Sequence, residues 1–154
     1  MPSRRDQIRM TDEETAAFIE SQKSLQVATI GPDGAPHLTT LWFAVVDGDI
    51  VFETFTKSQK SRNLERDPRI TVLLEDGDEY ENLRGVQIAG TAALHTDEAT
   101  VHRLATEVMV RNTPGIGAEV LSDAAARMAA KRTAVVVKAE KTVTWDHRKL
   151  GGGY

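Results

Sequence analysis

The sequence predicts an α+β protein, mainly β, in which six antiparallel strands curl into a barrel flanked by helices. Three observations carry that expectation. Short runs rich in Val, Ile, Thr, Leu and Phe recur along the chain, several of them alternating with polar residues in the two-residue period of a half-buried strand. The turns joining the first three runs are too short for parallel crossovers, so those strands form an antiparallel meander. Helical stretches are few and lie before, between and beside the strands, and two of them come as a pair.

Each element has its own signal. Thr11 and Glu14 form a T-x-x-E capping box, in which each side chain satisfies an orphan backbone donor of the other. Phe18 and Ile19 give the helix that follows, to about Gln22, a short apolar stripe. Leu25 to Ile30 alternates as a first strand. Gly31-Pro32-Asp33-Gly34 is a turn by composition. His37 to Val46 is a second, longer strand, and Asp47-Gly48-Asp49 signals the hairpin to a third strand at Ile50 to Phe55. Ser58 is placed to cap a short helix reaching Glu65, which Pro68 ends. Ile70 to Leu74 and Arg84 to Leu94 are the fourth and fifth strands, with Gly90 as a bulge or close approach. Thr96 or Asp97 caps a helix to about Arg111, with Val101, Leu104, Ala105 and Val108 on one face. Thr113-Pro114-Gly115 breaks it, and a second helix covers 118–130. Thr133 to Asp146 is a sixth, β-branched strand.

The 154 residues are the size of one domain, expected to span 1–154, and 40% apolar content supplies one core. No run approaches the 18 uninterrupted apolar residues of a membrane span. Arg4, Arg5 and Arg9 have no apolar stretch behind them, so a secretory signal is not expected. Cysteine is absent, which removes disulfides, thiol nucleophiles and Cys-based metal sites; a reducing cytoplasm is the expected compartment. A net charge of -4 argues against a dedicated nucleic-acid binder. The charge is uneven, however. Residues 57–69 hold Lys57, Lys60, Arg62, Arg66 and Arg69 against Glu65 and Asp67, while an acidic stretch follows at 75–81. A local basic cluster on an acidic chain suits a small anionic ligand.

No catalytic motif is present: no G-x-S-x-G elbow, no Walker loop, no G-x-G-x-x-G after a strand, and four histidines without metal-ligand spacing. Gly151-Gly152-Gly153 reads as a flexible end rather than a phosphate cradle. Three stretches carry chemistry instead. The first is Thr54 to Arg62, where a strand ends, a helix begins, and Lys57, Lys60 and Arg62 gather beside Thr54 and Ser58. Backbone N–H groups at a helix start and clustered cations favour a phosphate, although a solvated charged helix explains the same residues. The second is Pro36 to Phe43, where His37, Thr39 and Leu41 share one face of a strand and Leu38, Thr40 and Trp42 the other. These could line an aromatic ligand, or simply bury the tryptophan. The third is Thr144-Trp145-Asp146-His147-Arg148, too polar for a core strand; it could cover a site or a subunit seam, or end the chain in solvent.

Taken together, G-P-D-G-x-P-H, D-G, and K-S-x-K-x-x-N-L-x-x-D-P-R, each between strands, resemble the flavin-binding split barrels that include pyridoxamine 5'-phosphate oxidase. With the ending W-D-H-R-K-L-G, the chain looks most similar to the actinobacterial deazaflavin-dependent reductases of that superfamily, over about Thr11 to Gly151. The resemblance implies a split β-barrel that forms homodimers with two cofactor sites at the interface. It implies coenzyme F-420 as cofactor, with flavin mononucleotide (FMN) as the alternative, and hydride transfer to a small organic acceptor. In the oxidase a Ser-Arg-Lys run grips the flavin phosphate; here those positions read Ser58-Gln59-Lys60, and two further basic positions read His37 and Trp42. The cofactor's tail or phosphate would then lie on Lys57, Lys60 and Arg62 with Thr54 and Ser58 as hydroxyl donors. Pro36, His37, Thr39, Thr40, Leu41 and Trp42 would line the ring, with Trp145 and His147 closing the pocket from the same or the partner chain. A non-catalytic store for a flavin, haem or another tetrapyrrole is the remaining class.

Overall fold

The architecture below is that of a computed structural model, which describes residues 1–152; Gly153 of the expected glycine-rich end lies outside them. Seven antiparallel strands form one curled sheet in the order β2-β1-β5-β6-β7-β4-β3. They are β1 (Ser24–Ile30), β2 (Pro36–Trp42), β3 (Ala44–Val46), β4 (Asp49–Phe55), β5 (Arg69–Asp76), β6 (Arg84–His95) and β7 (Arg132–Asp146). Five helices flank them: α1 (Arg4–Gln7), α2 (Asp12–Ser21), α3 (Gln59–Arg66), α4 (Glu98–Asn112) and α5 (Ala118–Met128). Thr11 caps α2 through the full capping box with Glu14, as its spacing predicts.

The expected second strand is two strands. β2 pairs with β1 and β3 with β4, and Phe43 between them is fully buried. The apolar run Leu41 to Val46 contains no Gly or Pro to announce the break. What breaks it is a change of partner: β2 and β3 are consecutive in the chain yet lie at opposite ends of the sheet order. The bend at Phe43 therefore joins the two edges of the curled sheet. It is held by the buried Asn112 of α4, whose Nδ2 donates to the Phe43 and Val108 carbonyls at 2.9 and 2.7 Å. The Arg111 guanidinium lies 4.1 Å from the Phe43 ring centroid and donates to carbonyls at the end of α2.

The hairpin β3–β4 turns at Asp47 and Gly48, both at positive φ (51° and 83°), the backbone a type I′ turn demands. A β-bulge falls between Ala89 and Gly90, as the glycine predicts. A Cβ on Gly90 would stand 1.9 Å from the Lys138 carbonyl oxygen, so only glycine fits. The inner core runs through Leu25, Val27, Phe43, Phe52, Val72, Val86 and Val135, closed by Phe18 of α2 and Leu64 of α3. A second cluster packs Val101, Leu104 and Val108 of α4 against Val51 and Ala134 on the other face of β4 and β7. The paired helices α4 and α5 thus sit together on one side. No described helix is long and apolar enough to cross a membrane.

Candidate cofactor site

The strand-to-helix corner after β4 assembles part of the expected site. Thr54, the last inward residue of β4, is buried and donates its hydroxyl to Ser58 Oγ at 3.1 Å. Ser58 caps α3 by accepting from the Ser61 N–H at 3.1 Å. Lys60 completes the relay, its Nζ donating to Thr54 Oγ1 at 3.4 Å. Among the described residues the lysine forms no carboxylate salt bridge within 4 Å. Burial lowers its pKa below the usual lysine value, and the nearby Glu53 carboxylate only partly opposes that. Glu53 itself is committed to Arg132 at 3.1 Å. Lys57 and Arg62 are exposed beside this relay. The corner therefore holds a half-buried cation, the uncommitted Ser58 hydroxyl and two exposed cations, a donor set that fits an anionic group such as a phosphate.

α3 carries the corner across to β1. Asn63, wholly buried one turn after Lys60, donates to Thr29 Oγ1 at 3.0 Å and accepts from Gln59 at 2.8 Å. Thr29 is the cross-strand partner of His37. Asn63 was not singled out from sequence; a buried-type Leu64 beside a polar residue on an otherwise charged helix is the signal for it. His37, Thr39 and Leu41 face inward with Thr29, Val27 and Leu25, and Leu41 packs on the core. His37 Nδ1 and Thr39 Oγ1 are buried without a hydrogen-bond partner. Orphaned polar atoms of this kind call for a ligand or water. Leu38, Thr40 and Trp42 face outward, and Leu38 and Trp42 are 66% and 48% exposed. β2 pairs only with β1, so a ligand along its free edge reaches side chains of both faces; Pro36 begins that edge.

Trp145 and His147 stand elsewhere in the protomer. β7 pairs with the Thr54 corner at Arg132–Thr133 and with β6 at Asp146, roughly 40 Å further along the strand. There Trp145 packs flat over Gly85, where a Cβ would meet its ring at 2.0 Å. His147 Nδ1 lies 2.7 Å from the Tyr80 carbonyl, and Asp146 is buried against Arg148. Of four grooves among the described residues, the largest lies between α2 and β7, and Lys57, Ser58, Lys60 and Arg62 line none of these four. No cluster of three metal-ligating side chains occurs among the described residues. His102 is half-buried between α4 and α5, with Nε2 at 3.0 Å from Ser122 Oγ.

Known proteins share this fold. No curated protein matches the chain. A conserved hypothetical protein of Mycobacterium tuberculosis has a solved structure that is 44% identical, covering 99% of this chain and 95% of that one, with a TM-score of 0.90. An F-420 reductase shares the fold at 23% identity, with 82% of this chain and 93% of that chain covered and a TM-score of 0.63. The heme storage protein of Vibrio cholerae shares it at 16% identity, over 86% of this chain and 94% of that chain, with a TM-score of 0.68. The family described as pyridoxamine 5'-phosphate oxidase matches residues 11–146, nearly the whole curled sheet and its helices. On that match, the chain belongs to the pyridoxamine 5'-phosphate oxidase family.

Proposed function

We propose that this protein is an oxidoreductase of the cytoplasm that uses coenzyme F-420 and passes hydride to a small organic acceptor. The observation that carries the reading is Lys60: a half-buried cation without a carboxylate salt bridge among the described residues, backed by the Thr54–Ser58 hydroxyl relay. An ammonium held that way is stabilised when an anion arrives. Lys57 and Arg62 extend the positive charge outward and suit a long anionic tail better than a single phosphate. In the oxidase pattern an arginine stands between the serine and lysine; here Gln59 stands there and spends its amide on Asn63. That weakens the case for flavin mononucleotide. The fold-sharing F-420 reductase supports the same choice.

The deazaflavin, when bound, supplies the hydride chemistry at carbon 5 of its ring. This chain binds and orients. Lys57, Lys60 and Arg62 would hold the tail, Ser58 would donate its hydroxyl with Thr54 fixing it from behind, and the ring would lie along the free edge of β2. There His37 Nδ1 and Thr39 Oγ1 offer unspent polar atoms, and Pro36, Thr40, Leu41 and Trp42 give shape.

The reading includes a homodimer. The outer face of β2, β1, β5, β6 and β7 carries exposed Leu38 and Trp42 and half-buried Leu73 and Trp145 on one surface. Pairing two such surfaces would bring Trp145 and His147 of one protomer toward the β2 edge of its partner.

Titration by cofactor fluorescence tests the proposal. Protein purified colourless that binds coenzyme F-420 and not flavin mononucleotide supports it. Yellow protein that releases flavin mononucleotide on denaturation overturns it, as does binding of haem without either flavin.

A further inference from the structure

A second surface feature is independent of the cofactor corner. β7 is fifteen residues long, but its pairing with β4 ends at Val137. From Lys138 to Thr144 one edge of the strand has no neighbouring strand among the described residues. The side on which that edge is open can be read from its far end. The Asp146 N–H points away from β6 and donates to the Ile8 carbonyl at 2.7 Å. Main-chain direction alternates along an antiparallel strand, so Thr144 and Thr142 turn their N–H and C=O groups the same way. The chain makes one rung on this edge, at Ile8, and then departs into α2. Met10 adds only a bond to the Thr144 side chain, at 3.0 Å.

A groove of about 700 Å³ lies where the next rungs would be. Half-buried Ile19 of α2 and Val143 of β7 line it beside Thr15 and Thr144. Its rim is cationic: Arg5, Arg9 and Lys141 stand against one lining carboxylate, Asp12. Arg9 also touches Asp6 at the exposed surface, at 3.0 Å. Unpaired strand edges recruit extended peptides, with main-chain hydrogen bonds giving affinity and alternate side chains giving specificity. The charge selects the occupant. A second copy of this edge would set Lys141 and the arginines against their own kind, which disfavours self-pairing. We propose that the β7 edge at Thr142–Thr144 is a strand-addition site for an extended acidic peptide with apolar residues interleaved.

The probe is a fluorescein-labelled octapeptide of alternating glutamate and valine, titrated by anisotropy against the full chain at low salt. The expected result is saturable binding that slows amide exchange at Thr142 and Thr144. Lys141→Glu is expected to weaken it roughly tenfold or more, through like-charge repulsion at the rim. Thr142→Pro, which removes one edge N–H and no ladder bond, is expected to weaken it while the protein melts as wild type. The same octapeptide with alternate backbone nitrogens methylated is expected not to bind. The proposal is overturned if wild type does not bind the probe. Equal binding of the methylated peptide, or of its lysine counterpart, overturns it too. So does binding that leaves exchange at Thr142 and Thr144 unchanged.

Discussion

At the scale of single residues, Lys60 separates a binding site from a charged surface. Lys60→Met keeps the stem and removes the ammonium. Thr54 still donates to Ser58, so stability without cofactor is expected to change by only about 0.5 kcal/mol. Loss of a charge-assisted contact is expected to weaken coenzyme F-420 binding by ~1.5–3 kcal/mol, about 10- to 150-fold. The signature is a variant that melts like wild type alone but gains little when cofactor is added. Glu65→Ala, on the same helix, is the control, and a Lys60→Met protein that binds like wild type would sink the assignment. The pH dependence has a definite sign. Lys60 titrates below the usual lysine value because burial disfavours its charge. Cofactor affinity is therefore expected to fall as pH rises through that lowered value, before ordinary lysines discharge. Stability moves oppositely: over this window the unfolded chain binds the proton more tightly, so the contribution of Lys60 rises with pH. Calorimetric titration from neutral to alkaline pH, with melting alongside, measures both slopes; an affinity flat across the window would exclude Lys60 from the contact.

At the scale of elements, the sequence was most legible where a local rule sets the boundary. The Thr11–Glu14 box, the Asp47-Gly48 turn and the Gly90 bulge are each decided by a few neighbouring atoms. The break at Phe43 was not legible, because what interrupts the strand is a change of pairing partner far away in the chain. Two substitutions test what holds these features. Asn112→Ala leaves the buried Phe43 carbonyl without its side-chain donor and is expected to cost about 1–3 kcal/mol by chemical denaturation. Gly90→Ala drives a methyl into the Lys138 carbonyl, a main-chain atom with no rotamer to yield, and is expected to cost at least ~1–3 kcal/mol. A Gly90→Ala protein as stable as wild type would mean that the bulge shifts register freely.

At the scale of the whole molecule, the curled antiparallel sheet and paired helices followed from patterning, while the layout of the site did not. Thr54, Ser58 and Lys60 come together because they are neighbours across one corner. Trp145 and His147 lie at the far end of β7, a separation set by strand length and sheet order. Only a second protomer can bring them to the corner. Light scattering at micromolar concentration is therefore expected to return about twice the 16.9 kDa chain mass. A monomeric mass would leave Trp145 and His147 outside the cofactor site. If the basic corner holds the tail, affinity is also expected to fall with salt, since exposed charges are screened over ~8–10 Å.

The bend at Phe43 also has a consequence in time. β1–β2 and β3–β4 are short-range hairpins that meet at this one residue, whereas β4 finds β7 only after some eighty intervening residues. Hairpins of this kind close in roughly 1–10 μs, and long-range pairing waits on loop-closure entropy. Phe43 is then a hinge between two early pieces, and the barrel shuts when α4 delivers Asn112 to its carbonyl. Asn112→Ala should accordingly speed unfolding more than it slows folding, a low φ-value, whereas a high one would place the closing of the ring ahead of its parts.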